Sequence, residues 1–205
     1  DPERKTVTAA QATLYGFKTG APFRRWYALN LVEEIDLPGE YVIDRKRGKI
    51  YLLPPDEPVR EIQVSLLGTP LFAFEGCRNV TLQGVTLEYS CGMGVYIEQS
   101  EYTKVDSCVI RNLGYVGVSI GRGDMPADDL SAPRHSADLS NPEGVPAVIG
   151  NLSSRLYDDR LFDRKAGRHN GVSNCLLYQL GSGGVSVGGG QRATLTPAFN
   201  YVENC

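Results

Sequence analysis

Residues 80–89 read VTLQGVTLEY, and a related pattern, TKVDSCVIRN, follows 23 positions later at residues 103–112. In this alignment Leu82 matches Val105, and Leu87 matches Ile110. A third copy, GVSNCLLY, occupies residues 171–178, and a fourth, YVENC, occupies residues 201–205. Self-similarity at a fixed short period is the signature of a solenoid, so the repeat is the first guide to the fold.

The apolar positions of the copies form columns: Leu82, Val105, Val172 and Val202; Val85, Cys108, Cys175 and Cys205; Val95, Val118 and Val185; Ile97, Ile120 and Val187. Each copy has two short alternating stretches separated by a Gly-rich bend, and β-branched residues are frequent, which argues against a helical solenoid. A repeat this short buries its apolar face only by stacking on the next. We therefore predict an all-β fold, a right-handed parallel β-helix with coils of about 23 residues.

Two segments depart from the repeat. Residues 1–60 are predicted to form a small β-rich N-terminal subdomain, with a hairpin over residues 41–53 and a short helix within 26–35. Residues 61–205 are predicted to form the coils. A loop insertion at 121–169, rich in Pro, Asp and Ser, interrupts them, and insertions in solenoids tend to lie on the binding face.

Composition excludes some classes of function. The chain has 205 residues, a formal charge of -3 and 41% apolar residues. Such a composition favours a globular protein and gives no basic surface for nucleic acid. A transmembrane helix is not expected, because no apolar run reaches 18 residues. The five cysteines have no zinc-type spacing and are interpreted as small buried apolar residues.

One outward column joins Glu88, Arg111 and Tyr178. Equivalent side chains on neighbouring coils lie about 4.8 Å apart. Tyr178 could stack on a sugar while Arg111 contacts carboxylates or hydroxyls. The alternative is a solvated face with one Glu88–Arg111 ion pair. The next column (Tyr89, Asn112, Gln179) is predicted to point inward or to lie at a bend, where an amide ladder would be structural.

The densest ionisable cluster precedes the third copy. It contains the candidate catalytic residues Asp158, Asp159 and Asp163 and, among other residues, Arg168 and His169, which are candidate substrate-binding residues. Glycoside hydrolysis needs two carboxylates, and like-charge crowding could raise the pKa of one of the three aspartates to make a general acid. The alternative is a solvated loop with local ion pairs. Lyase chemistry would need a different base and, in many cases, Ca²⁺, for which the sequence carries no signature. No other cofactor or metal is predicted.

Residues 25–36 (RWYALNLVEEID), with PGEY at 38–41, GKIY at 48–51 and GGGQRATLTP at 188–197, resemble segments of bacterial right-handed parallel β-helix repeat proteins. The resemblance implies a pectin-lyase-like architecture, a carbohydrate context and a secreted or periplasmic location, and Arg192 joins the substrate-binding candidates. The chain departs from the pattern at Gln179 and Gln191, where the family often has acidic residues.

We expect a carbohydrate-active protein, with glycoside hydrolase favoured, that acts on extracellular polysaccharide or oligosaccharide. The alternatives are a non-catalytic glycan-binding or structural module, a fragment whose active site lies elsewhere, and a polysaccharide lyase. Because Cys205 falls inside a predicted strand, we also expect further coils of a longer chain, or a self-association partner, to cover that end.

Overall fold

The structure, a computed structural model, describes residues 3–4, 30–44, 46–121, 163–191 and 193–205. These residues belong to two compact units, of which the smaller ends at Gln63 and the larger takes in Val64–Cys205. Within the described ranges, strands predominate and helix is limited to one short turn, so the fold is all-β. No helix in those ranges is long and apolar enough to cross a membrane.

The smaller unit contains the predicted hairpin. Strand β1 (Tyr41–Asp44) pairs antiparallel with β2 (Lys49–Leu52), with Tyr41 opposite Leu52 and Asp44 opposite Lys49. Asp44 Oδ1 accepts hydrogen bonds from two backbone N–H groups of the turn, which favours the tight reversal. The helix predicted within 26–35 is, in its described part, one 3₁₀ turn at Val32–Glu34; residues 26–29 lie outside the described ranges.

Short strands build the larger unit: β3 (Phe72–Glu75), β4 (Thr81–Gln83), β5 (Thr86–Leu87), β6 (Val95–Glu98), β7 (Ser100–Glu101), β8 (Lys104–Asp106), β9 (Val109–Leu113), β10 (Val118–Ile120), β11 (Gly167–Arg168), β12 (Gly171–Ser173), β13 (Leu176–Leu180), β14 (Val185–Val187) and β15 (Tyr201–Glu203). They form four parallel sheets, ordered β14-β10-β6-β3, β11-β7, β15-β12-β8-β4 and β13-β9-β5. Successive strands of one sheet come from successive copies of the repeat.

The register of these sheets confirms the predicted strand columns. Val105 pairs with Leu82 on one side and with Val172 on the other, and Val172 pairs with Val202. Likewise Val118 lies between Val95 and Val185. Strand β3 adds a member that lies outside the repeat copies identified in the sequence, because Phe72 pairs with Val95.

The core is a set of stacked aliphatic side chains. It includes Val95, Ile97, Val105, Ile110, Val118, Ile120 and Val172, all fully buried. Cys108 and Cys175 are buried in the same core, as predicted, whereas Cys91 and Cys205 are exposed; all five cysteines are free thiols. Gly94, Gly117 and Gly184 form a glycine column across the repeats. Close approach of neighbouring repeats explains the first two, since a Cβ on Gly94 would lie 2.6 Å from the carbonyl oxygen of Gly117, and a Cβ on Gly117 would lie 2.7 Å from that of Gly184.

Bends between the sheets use left-handed backbone conformations. Tyr89, Asn112 and Gln179 occupy equivalent positions and have φ of 60°, 51° and 53°. The column that the sequence placed inward or at a bend is therefore a bend column. An amide ladder lies in another column, where the Asn170 N–H donates to Asn200 Oδ1 at 2.9 Å. In this Asn170–Asn200 ladder Asn170 is fully buried, accepts a hydrogen bond from the N–H of Thr103 at 3.0 Å, and donates to the carbonyls of Ser100 and Ala166.

The predicted insertion extends too far at its C-terminal side. Within 121–169, Gly167 and Arg168 form β11, which pairs in parallel with Ser100 and Glu101 of β7. The pairing offset here is 67 residues instead of 23, as for the third copy of the repeat, and β11 escapes a search for apolar repeats because its two residues, a glycine and an arginine, carry no apolar pattern. The hydrogen bond between Thr103 and Asn170 has the same offset of 67 residues, so the chain has rejoined the parallel sheets by residue 170.

Candidate functional site

The Glu88–Arg111–Tyr178 column is assembled as the sequence predicted. Arg111 Nε donates to Glu88 Oε2 at 2.6 Å, and Arg111 Nη1 donates to the Tyr178 hydroxyl at 2.8 Å. The guanidinium carbon lies 5.9 Å from the centre of the Tyr178 ring. These residues project from one face of the β13-β9-β5 sheet, while Leu87, Ile110 and Leu177 of the same strands pack on the core.

The neighbours of Arg111 in the Glu88–Arg111–Tyr178 column favour its charged form. The hydrogen bond to Tyr178, followed by the hydrogen bond and charge of Glu88, raises the pKa of Arg111 above its ordinary value. The side chain is 36% exposed, and the two hydrogen bonds use two of its five N–H donors. The Arg111 guanidinium is thus held in one orientation, is permanently charged, and keeps N–H groups that can donate to a ligand.

A second polar network lies on the β15-β12-β8-β4 sheet, around Asp106. Its carboxylate accepts hydrogen bonds from Ser173 Oγ at 2.6 Å, Gln83 Nε2 at 2.7 Å and Asn174 Nδ2 at 2.9 Å. Lys104 Nζ lies 3.4 Å from Asp106 Oδ1. Three successive repeats are thereby tied together through one side chain that is 7% exposed.

Those hydrogen bonds hold the pKa of Asp106 well below its usual range, with Ser173 the largest cause and Asn174 the next. A carboxylate held this strongly in its ionised form is a poor proton donor at neutral pH. Asp106 was not among the predicted site residues. The sequence signal that could have identified it is the run of polar side chains at one outward position, Gln83, Asp106 and Ser173.

His169, a predicted substrate-binding residue, lies in an aromatic stack. Its ring is 4.7 Å from that of Tyr102 and 5.1 Å from that of Phe199, with interplanar angles of 2° and 8°. All three residues have positive φ, at 53°, 56° and 57°, so the stack occupies one bend column. Both faces of the imidazole are covered by rings, which leaves only its edge to meet a ligand.

Two further predicted site residues, Arg168 and Asp163, have contacts away from the Glu88–Arg111–Tyr178 column. Arg168 Nε donates to Glu101 Oε1 at 3.1 Å on the β11-β7 sheet, in an exposed ion pair. Asp163 is exposed, and its carbonyl accepts the N–H of Ala166 in a turn. Asp158, Asp159 and Arg192 lie outside the described residues.

A carboxylate that the sequence did not single out is buried beside a phenol. Tyr96 and Glu98 are 2% and 6% exposed, and the Tyr96 hydroxyl donates to Glu98 Oε2 at 2.5 Å. Glu98 is in register with Glu75 on the adjacent strand β3. The two glutamates are therefore neighbours on one sheet, with their backbones about 4.8 Å apart.

Near the C-terminal end of the described residues, Gln191 and Thr196 form an antiparallel bridge. Gly189, Gly190, Leu195 and Pro197 are among the residues that line an open cleft of about 410 Å³ beside it. Leu195 is 84% exposed, so this cleft has an accessible apolar edge.

Across the part of the chain that the structure describes, no three His, Cys, Asp or Glu side chains are grouped so as to hold a metal ion. Comparisons of the chain with protein-family models, with curated proteins and with solved structures found no match.

Proposed function

We propose that the chain is a right-handed parallel β-helix of the pectin-lyase-like type that binds polysaccharide on its outer faces. The support for this architecture is the parallel pairing of strands 23 residues apart, repeated in separate sheets. Because equivalent residues stack along the axis, an outer face presents regularly spaced groups to a repeating polymer. A secreted or periplasmic bacterial protein acting on extracellular glycan is the setting that the family resemblance implies.

The observation that carries the binding proposal is the double anchoring of Arg111 by Glu88 and Tyr178. Immobilising a long side chain before a ligand arrives reduces the entropy lost on binding. The remaining N–H donors suit sugar hydroxyls or a uronate carboxylate, which a planar guanidinium can bind through two parallel hydrogen bonds. Tyr178, partly exposed beside it, adds an aromatic surface of the kind found in ligand sites.

Affinity electrophoresis and calorimetry with polygalacturonate, alginate, arabinoxylan and galactomannan test this proposal. We expect Arg111→Met to weaken binding by about tenfold or more, and Arg111→Lys to be intermediate, because lysine keeps the charge but loses the fork. Arg47→Met is the matched control, since Arg47 is 73% exposed and pairs with Asp44 in the hairpin. Absence of binding by the wild-type chain to every polymer would reject the binding function.

Glycoside hydrolysis is the second candidate, and the register of Glu75 with Glu98 favours it. Their backbones lie about 4.8 Å apart, which allows the two side chains to approach the carboxyl separation of about 5–5.5 Å that retaining glycosidases use. The Tyr96 hydroxyl would hold Glu98 in one orientation. Asp158, Asp159 and Asp163 remain the alternative source of carboxylates.

Reducing ends, followed together with ultraviolet absorbance from unsaturated uronates, separate the possible activities. Hydrolysis gives reducing ends without absorbance, and a lyase gives both. If Glu98 is catalytic, Glu98→Gln should lower the rate by at least about 100-fold, whereas Glu57→Gln, at an exposed loop position, should leave it unchanged. Loss of activity in Asp158→Asn or Asp159→Asn, with Glu98→Gln active, would instead assign catalysis to the aspartates. Absorbance would exclude the hydrolase, and inactivity towards every polymer would leave the binding function alone.

A further inference from the structure

Gly171 and Tyr201 form an unusual pair on the β15-β12-β8-β4 sheet. They are in register on adjacent strands, with Gly171 on β12 and Tyr201 on β15. A Cβ added to Gly171 would overlap Cζ of the Tyr201 ring and would lie 2.5 Å from both Cε atoms. The equal distances to the two Cε atoms mean that the ring lies face-on against the glycine, flat on the sheet.

Contact with the Tyr201 ring is the constraint that explains a glycine at residue 171. Its φ lies outside the left-handed region that favours glycine, and the three atoms nearest to an added Cβ all belong to the Tyr201 ring. The equivalent positions in the two preceding repeats carry Thr81 and Lys104, so a side chain is accommodated elsewhere in this column. The absence of a side chain at residue 171 allows the Tyr201 ring to pack flat against the sheet.

The outer face of this ring remains open. Tyr201 is 37% exposed, and among the described residues its ring joins no aromatic stack or cation–π contact. Because one face of the ring is pressed on Gly171, the opposite face is the one that a ligand would contact. The ring extends towards the strand of Lys104, whose ammonium group lies 3.4 Å from Asp106 Oδ1 and whose side chain is 35% exposed.

We propose that Tyr201, seated on Gly171, is a stacking platform for the pyranose ring of a polysaccharide, with Lys104 as a polar contact at its edge. A flat aromatic ring with an electron-rich face complements the C–H groups on the apolar face of a sugar ring. Ligand sites combine such apolar surface with a few positioned polar groups, and the Lys104 ammonium is such a group. This Tyr201 platform extends the proposed glycan binding to a second sheet, and it rests on that proposed function.

The test uses the same four polymers and three variants. Tyr201→Ala removes the platform and should weaken binding by about tenfold, the effect of losing a central aromatic anchor. Tyr201→Phe keeps the ring and should stay within about twofold of wild type. Gly171→Ala keeps the tyrosine but forces the ring from its seat, so it should resemble Tyr201→Ala.

Tyr41→Ala is the matched control, because Tyr41 is a 62%-exposed strand tyrosine in the smaller unit. Circular dichroism establishes that each variant is folded, and Tyr201→Ala, an exposed truncation, carries the test if Gly171→Ala does not fold. Wild-type affinity in Tyr201→Ala, together with weakened binding in Arg111→Met, would overturn the platform and leave the proposed function standing. A wild-type chain that binds none of the polymers would overturn both.

Discussion

Ser173 Oγ donates a hydrogen bond to Asp106 Oδ1 at 2.6 Å across two adjacent parallel strands, although the two residues are 67 positions apart in the chain. The bond spans the insertion between the second and third copies of the repeat. With Gln83 and Asn174 bound to the same carboxylate, Asp106 links the repeats before and after that insertion.

We expect Asp106→Asn to lower the midpoint of thermal unfolding at pH 7, because an amide replaces a carboxylate that accepts several hydrogen bonds. The folded-state pKa of Asp106 is depressed, so its ionisation stabilises the fold above the unfolded-state pKa of about 4 and ceases to do so as the pH falls through the folded-state pKa. The gap between wild type and variant should therefore be constant above about pH 5 and should narrow progressively below about pH 4. Asp56→Asn, at an exposed position, is the control. A gap that stays constant down to pH 2 would contradict this role.

Gly117→Ala should destabilise the protein by about 1–3 kcal/mol, the usual cost of overpacking. The new methyl group would lie 2.7 Å from the carbonyl oxygen of Gly184 and 2.8 Å from Cδ2 of Leu177. Gly183→Ala is the matched control, because no atom lies within 4 Å of its added Cβ and its φ is not left-handed. Denaturant unfolding of both variants makes the comparison. Equal stabilities for the two would argue against close packing of the repeats at the glycine column.

Asn170→Asp tests the buried amide ladder with almost no change of shape. At neutral pH the variant should lose about 3 kcal/mol, because a carboxylate would face the carbonyl oxygens of Ser100 and Ala166 in place of a donor. Burial and those two carbonyls would raise the pKa of the new carboxyl group. Lowering the pH to about 5 should thus restore part of the loss by protonating it. Asn79→Asp, at an exposed bend, should show no such recovery.

The reactivity of each cysteine thiol should depend on whether the residue is buried in the core or exposed. Burial is the largest cause that raises the pKa of Cys175 to about 11, so little thiolate is present at pH 8. Cys108 is 1% exposed. Both should react with a disulfide reagent only upon unfolding, whereas the exposed Cys91 and Cys205 should react at once. The Cys91→Ser and Cys205→Ser variants identify the fast thiols. Rapid modification of Cys108 in the native protein would show that the core opens on the timescale of labelling.

The repeat in the sequence was sufficient to predict the strand columns and the burial of Cys108 and Cys175. The interior of stacked parallel strands imposes a strong local rule, since alternate residues face inward and each must be small or apolar enough to pack on its equivalent. The Glu88–Arg111–Tyr178 contacts followed from the same alignment, because register fixes which outward side chains are neighbours.

Other features depended on three-dimensional contacts. Strand β11 was missed because its two residues, Gly167 and Arg168, and their partners Ser100 and Glu101 show no apolar pattern. The carboxylates expected around Asp163 were chosen by their density in the sequence, yet Asp163 itself lies in an exposed turn. Proximity along the chain says little about proximity on the outer faces, where successive repeats bring together residues from distant segments.

The sequence by itself determined the direction and spacing of the strands, because a periodic apolar pattern buries its side chains in only one register. Only the tertiary structure decided what the outward residues do. Asp106 acquires its hydrogen bonds, and Tyr201 its seat on Gly171, from residues in other repeats. The physical reason is that packing restricts an inward position to a few residue types, whereas an outward polar or aromatic residue is defined by its neighbours, which the local sequence does not specify.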